Sequence, residues 1–373
     1  MDFDFSDDQQ QLGDAVQKWV AKGYDFERRR SIVRAGGFSH ESYTELAELG
    51  LCGLYIPEAQ GGMGMGPVEG MVAMQALGYG LVLEPLAQTL LAGAVLNAWA
   101  PEALKTAWLE RIASGQALVV LAHQERAARY RLDLCGALAT ESKNEGGWQI
   151  SGSKSVVPAG DQADAFLVPA MAHGRLALFL VERTAPGVST RGYGTQDGSR
   201  AAELQISGAA ATLVTTDGLA ALEHAVDIGL AAACAEAVGV MDRTLAITVD
   251  YMNQRKQFGV AISSFQALRH RVADIKMQLE LARSMSYYAS LKLNAPAPER
   301  RAAMARAKYQ LGQSMRFVGQ QAVQLHGGIG VTDEYIVSHC FKKLTQLEMT
   351  FGDSLHQLGE VSARMQDTAG VFA

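Results

Sequence analysis

Two short stretches of this chain carry groups able to hold a charged, planar ligand. In residues 251–266, YMNQRKQFGVAISSFQ, Arg255 presents a fixed fork of N–H donors that matches phosphate oxygens. Phe258 offers a face for a flat ring, and Gln266 an amide close to a helix start after Ser263 and Ser264. The second stretch, residues 316–353, contains Gln324, His326, Gly327 and Gly328 and ends in Phe351-Gly352-Asp353. Its glycines let backbone approach a ligand closely. Each stretch taken alone also describes an ordinary connection between helices. The first reads as a turn with one surface ion pair, and the second as a helical hairpin with glycine stops and a packed histidine at a helix end.

The elements that must position these groups follow from hydrophobic spacing. Met304, Ala307, Leu311, Met315, Val318, Ala322 and Leu325 alternate intervals of three and four, one stripe of a long helix. Gly327-Gly328 ends it through the left-handed conformation that glycine permits. A second striped segment begins near Tyr335 and runs to Phe351, where Gly352 breaks it. Upstream, helices are expected over residues 222–251, 265–291 and, after a break at 295–299, 301–326. Four long antiparallel helices with short connections make a bundle. Residues 118–122, 147–152, 165–168, 175–181 and 202–207 read instead as short strands separated by Gly, Asp, Asn and Pro, as antiparallel strands would be.

Residues 6–118 read as helices divided by glycine and proline turns, with Ser6 and Ser39 as helix starts. The glycine-rich run 49–80 lacks the preceding strand that a dinucleotide fingerprint requires, so it is expected to be a loop walling a substrate pocket. The fold expected is mostly α with a central β-domain. Its parts are an N-terminal helical domain over 1–117, a middle antiparallel β-barrel or sandwich over 118–221, and a C-terminal four-helix bundle over 222–373.

A net charge of -6 with no basic run argues against nucleic-acid binding. The acidic start MDFDFSDDQQQ has no basic-then-apolar signal segment. No apolar run approaches the roughly 20 residues that span a bilayer. Cys52, Cys135, Cys234 and Cys340 are scattered without CxxC spacing, and the eight His are equally dispersed, so neither disulfides nor a metal site is expected. A cytoplasmic protein without membrane insertion is expected.

RKQFG and QLHGGIG together resemble the two best-preserved signatures of the acyl-CoA dehydrogenase family of flavoproteins, and the helical, β, helical-bundle order extends the resemblance over the whole chain. The phrases LAHQERAARY, RGYGTQDG, RKQFG and FGD resemble most the pimeloyl-CoA dehydrogenase small-subunit group. The resemblance implies FAD as cofactor, an acyl-CoA thioester as substrate, and electron-transfer flavoprotein or a similar acceptor as partner. It implies that Arg255, Phe258 and Gln266 reach the FAD of a neighbouring subunit, that Gln324, Gly327 and Gly328 contact the nucleotide half, and that Gln124 bonds a flavin edge. A homodimer, homotetramer or hetero-oligomer with a homologous chain follows.

Three departures from the family pattern matter. The turn after the usual Thr-Glu pair is replaced by Gln124-Glu125-Arg126-Ala127-Ala128-Arg129-Tyr130, and the family's Trp-x-Thr falls on Val156 and Pro158. The glutamate that serves as catalytic base falls on Phe351, and its alternative family location falls near Gly229. Asp353 is the nearest carboxylate, at a family threonine that touches flavin. It is read both as the catalytic candidate and as the cap of a helix beginning at Ser354; Glu236 ranks behind it. The resemblance therefore implies α,β-dehydrogenation of an acyl-CoA, by this chain alone or with a glutamate-bearing partner. The alternatives are a same-fold monooxygenase, a nitroalkane-oxidase-like enzyme with an aspartate base, or a non-catalytic partner chain. The acyl group is not specified by these residues.

Overall fold

The computed structural model describes residues 5–142 and 147–369; Met1 to Asp4, the head of the acidic N-terminal stretch, lie outside them. In chain order the helices α1 (Asp7–Gly23), α2 (Phe26–Arg34), α3 (His40–Glu48), α4 (Pro67–Gly80), α5 (Leu86–Trp99) and α6 (Glu102–Ala113) come first. Strands β1 (Val119–Leu121), β2 (Leu138–Glu141), β3 (Trp148–Pro158), β4 (Ala165–Ala172), β5 (Arg175–Glu182), β6 (Val188–Gly194) and β7 (Arg200–Thr215) follow. Then come α7 (Gly218–Gln254), the hairpin β8 (Lys256–Gln257) and β9 (Val260–Ala261), α8 (Gln266–Lys292), α9 (Ala297–His326), α10 (Ile336–Met349) and α11 (Ser354–Ala369). The helical, β, helical-bundle layout is as expected.

The chain divides into two compact units, one of Met1–Arg29, Pro67–Val82 and Leu230–Ala373, the other of Arg30–Gly66 and Leu83–Gly229. In the first, α1 starts with a reciprocal cap: the Ser6 hydroxyl accepts from Gln9 N at 3.3 Å, and Gln9 Oε1 accepts from Ser6 N at 3.0 Å. Helix α7 is apolar and long enough, at 37 residues, to cross a membrane by composition alone, contrary to the sequence expectation. It is instead a core helix, with 89% of its most apolar window buried inside the protein. Helix α9 begins at Ala297 rather than 301, because Pro296 sits at the cap and Pro298 falls in the first turn, where no intrahelical N–H bond is lost.

Helices α4 and α7 cross in near backbone contact. A Cβ on Gly239 would lie 1.9 Å from Gln75 O, and one on Gly78 would lie 2.1 Å from Glu236 O. Neither helix can yield locally, since the clash is with backbone. Gly239→Ala is therefore expected to cost on the order of 3 kcal/mol or more, read as a lowered urea midpoint with helix content unchanged in native buffer.

In the second unit the sheet is largely but not wholly antiparallel. The path β4-β2-β3-β7-β5 closes on itself through the β4–β5 pairing into a barrel, while β1 adds to β4 and β6 to β7. Two pairings correct the antiparallel expectation: β1 and β2 both meet β4 in parallel. Strands β2 and β6 were not anticipated; each shows a mostly exposed face and lacks an apolar run. Ser39 caps α3 as expected, its hydroxyl accepting from Ser42 N at 3.2 Å.

Candidate functional site

In the first unit the two signature stretches are tied together by aromatic packing. The ring of Tyr251, near the end of α7, stacks on His326 at the end of α9 with centroids 4.4 Å apart. The Tyr251 hydroxyl donates to His326 O at 3.2 Å, and Tyr335 lies 5.3 Å from the imidazole. Burial lowers the His326 pKa, and Nδ1 faces Ala322 O at 2.8 Å, so the imidazole stays neutral and packed at the helix end. Tyr251 and Tyr335 had no motif signal; their pairing with a helix-end histidine appears only in three dimensions.

From this junction the β8–β9 hairpin projects. Arg255 is exposed, and its backbone is fixed by Arg255 N to Tyr251 O and Ile262 N to Arg255 O, both 2.8 Å. Phe258 is 90% exposed at the tip, edge-on to Phe265 with centroids 6.1 Å apart. Gln266 is the first residue of α8 and exposed. Gln324, Gly327 and Gly328 are exposed beside them at the end of α9. Gly327 adopts φ 63°, ψ -139°, a region essentially restricted to glycine, rather than the left-handed helical cap expected, and a short 3-10 turn continues to Val331. A Cβ on Gly328 would meet no atom within 4 Å, and its φ is not positive. Neither its own chain nor its backbone conformation demands glycine there.

At the other end of α10, whose 14 residues span about 21 Å, lies the turn 350–353. Phe351 is half-buried with φ 57°, and Gly352 has φ 110°. Asp353 Oδ1 accepts from His356 N at 2.8 Å, and Asp353 O from Gln357 N at 2.9 Å, so Asp353 caps α11. Glu348 Oε1 accepts from Ser354 N, Ser354 Oγ and Arg316 at 3.0, 2.6 and 3.2 Å. Beneath the turn, Lys308 Nζ donates to its Thr350 and Gly352 carbonyls and to Glu348 O at the end of α10. Glu236, on α7, is ion-paired with Lys343 at 2.7 Å, both side chains nearly buried.

The second unit holds Gln124, Val156 and Pro158. Gln124 is half-buried, and its carbonyl accepts from Ser155 N at 2.9 Å. Val156 is 49% exposed with φ 52° at a register shift of β3 on β7. A β-branched residue with positive φ is strained, by roughly 1–2 kcal/mol. Val156, Phe258 and Phe351, all singled out from sequence, are thus held in the same left-handed region. Such strain persists where surrounding structure imposes it, typically at functional positions.

Beside Gln124 is a polar cluster that sequence reading did not find. Lys154, 1% exposed, donates to Glu125 Oε1 at 2.7 Å and to Pro169 O at 2.9 Å. Glu125 also accepts from Gly136 N at 2.7 Å and from the Cys135 thiol at 3.4 Å. Burial pushes the Glu125 carboxyl up, but Lys154 and these donors outweigh it and hold the group below its ordinary range. Half-buried His123, nearby, is lowered to about 3 by burial of its ring and by Lys154.

Two family patterns match this sequence: acyl-CoA dehydrogenase, N-terminal domain, over residues 6–116, and acyl-CoA dehydrogenase, C-terminal domain, over residues 216–366. The chain belongs to the acyl-CoA dehydrogenase family. Acyl-CoA dehydrogenase FadE27 of Mycobacterium tuberculosis is 27% identical over 99% of this chain and 100% of its own. Among solved structures, the ChsE4-ChsE5 complex of Mycobacterium tuberculosis superposes with a TM-score of 0.88 at 26% identity, covering 98% of this chain and 99% of that one. The electron transferring flavoprotein of Acidaminococcus fermentans gives 0.91 at 25%, covering 98% and 99%.

Within this family fold, the placement of the two stretches was not available to motif reading. Hairpin and α9 terminus share one junction in the first unit, whereas the turn 350–353 stands a helix length away. Among the described residues, no group of His, Cys, Asp and Glu could hold a metal ion.

Proposed function

We propose that this chain is an FAD-dependent acyl-CoA dehydrogenase subunit that works with a homologous chain carrying the α-carbon base. It acts on a CoA thioester within the cytoplasm and resembles most the pimeloyl-CoA dehydrogenase small-subunit group. The observation carrying this reading is the turn 350–353. The family's base position is Phe351, a side chain that takes no proton, and the nearest carboxylate, Asp353, is engaged as a helix cap. The likeness to a complex named for two chains supports a hetero-oligomer. The likeness to an electron transferring flavoprotein supports an acceptor of that class.

The residues present fit FAD. Arg255 supplies an exposed planar cation for pyrophosphate, Phe258 an exposed ring, Gln266 and Gln324 exposed amides, and Gly327-Gly328 open backbone. Their exposure on the projecting hairpin and the helix ends beside it supports their serving the cofactor of a neighbouring subunit. Gln124 would bond a flavin edge, and Asp353 stands at the position that matches the family's flavin-touching threonine. Bound FAD would take the β-hydrogen of the acyl chain as hydride; this chain's task is to hold the cofactor and exclude water around the thioester.

Arg255→Ala is expected to lower FAD retention roughly 10- to 100-fold, the equivalent of a charge-assisted contact of about 1.5–3 kcal/mol. Flavin absorbance after gel filtration measures this, and unchanged content removes Arg255 from the site. The reading as a whole is tested by co-purification from the native host. A co-eluting homologous chain with a glutamate at the position matching Phe351 is expected. A homo-oligomer that oxidises acyl-CoA unaided would overturn the shared-base reading, and a chain without flavin would make it a non-catalytic partner.

A further inference from the structure

Lys308 lies in the middle of α9 and is 1% exposed. Its Nζ donates to Glu348 O, Thr350 O and Gly352 O at 2.8, 2.8 and 3.0 Å. An ammonium has three protons, and all three are spent on one short segment. These carbonyls close the C-terminus of α10 and the turn after it, where the helix leaves acceptors unpaired and favours a cation. Gly352 N donates to Met349 O at 3.3 Å, Thr350 N to Gln346 O at 3.1 Å and Gln357 Nε2 to Phe351 O at 3.1 Å, and Lys308 adds three charged bonds to these.

We propose that Lys308 is a positioning residue, a buried latch that holds the turn 350–353 and fixes Phe351 in the conformation it presents to an acyl-CoA. The latch itself stands on the contacts above; its effect on acyl-CoA rests on the proposed function. Every Nζ partner belongs to residues 348–352, so lifting the turn brings water to the ammonium. The groups facing Lys308 are Cys234 from α7, Glu348 from α10, Asp353 at the start of α11 and His356 within it. Glu348 and Asp353 favour the charge, the Cys234 thiol is pushed up to about 12 by burial, and burial also lowers His356. Burial dominates for Lys308 and lowers its pKa to about 8.

The sign of the pH dependence follows. With the turn closed, Lys308 gives up its proton near pH 8; with the turn lifted, it keeps it towards the ordinary lysine value of about 10.4. The open state therefore binds more protons in that window; the closed neutral amine gives up one donor but also the cost of a buried charge, the larger influence on its pKa, so raising the pH tightens the turn. Most buried hydrogen-bonded turns would show no such trend.

Hydrogen exchange of the FAD-loaded protein, followed from pH 7 to 9.5 and corrected for the base catalysis of exchange itself, reads the opening of residues 349–355. Opening is expected to fall at least tenfold as pH rises through about 8, with strands β3 and β7 flat, and the trend is expected to vanish in Lys308→Met. A flat or rising wild-type profile overturns the latch, and so does a falling one that persists in Lys308→Met. Should that variant fail to fold, the wild-type profile decides alone. Crotonyl-CoA affinity tests the second half: Lys308→Met with full FAD content is expected to bind it at least tenfold more weakly. Unchanged affinity beside a vanished pH trend overturns the positioning of Phe351 and leaves the latch; a partner-chain result against the shared base touches neither measurement.

Discussion

Replacing Phe351 with glutamate is expected to turn a chain that barely reduces its flavin into one that does so on its own. A base must come within about 2.6–3.2 Å of the proton it takes, and a positioned base contributes roughly 10²–10⁴-fold in rate. The turn that would carry it is already built: Gly352 at φ 110°, the cap of α11 behind it, and Lys308 beneath. Anaerobic flavin bleaching by an acyl-CoA, in wild type, Phe351→Glu and Asp353→Asn, separates the cases. Silence in wild type with gain in Phe351→Glu supports a borrowed base. Slow wild-type bleaching lost in Asp353→Asn, with FAD retained, makes Asp353 the base despite its capping bond. Vigorous bleaching in wild type and Asp353→Asn alike would sink both versions. Glu236 would then be next, although its pairing with Lys343 at 2.7 Å favours a structural role.

The second large effect concerns the barrel. Lys154→Met leaves half-buried Glu125 beside a thiol and two amides without its cation. Removing one partner of a fully buried ion pair costs on the order of 3–5 kcal/mol, and water reaching half-buried Glu125 puts this pair at the low end, about 3 kcal/mol. The pH dependence carries a sign. The folded Glu125 pKa is depressed, so its stabilising contribution is complete above the unfolded value of about 4.3 and is lost as pH falls through the folded value. In Lys154→Met burial, the largest influence, is opposed only by the Gly136 and Cys135 donors, so the carboxyl lies higher than in the wild type and its protonation costs the variant less. The stability gap between wild type and variant should narrow on acidification. Urea unfolding at neutral pH and near pH 4 measures it, and a gap of constant size would show that Lys154 acts by packing alone.

Much of this protein was legible from local sequence. Three-and-four spacing found the stripe of α9, the serines found two helix starts, and the strands at 165–168 and 175–181 stood out as apolar runs. RKQFG and QLHGGIG were sufficient for the family, because a hairpin that offers an arginine, an exposed ring and open glycines keeps its residue types within a few positions of one another. These features share a cause: each reports what one segment does with its own backbone and one buried face.

Tertiary structure decided the rest. Strand β2 is mostly exposed, β6 has no buried residue, and both form because they pair with β3, β4 and β7. A 37-residue apolar helix became a core helix because neighbouring elements cover it. Lys154 meets Glu125 across 29 residues, and Lys308 meets Gly352 across 44, contacts that no spacing rule encodes. A charged side chain reads as surface until its partners are known. Burial without a partner would be prohibitively costly, so only the fold, by bringing distant carbonyls and carboxylates together, makes these two lysines interior.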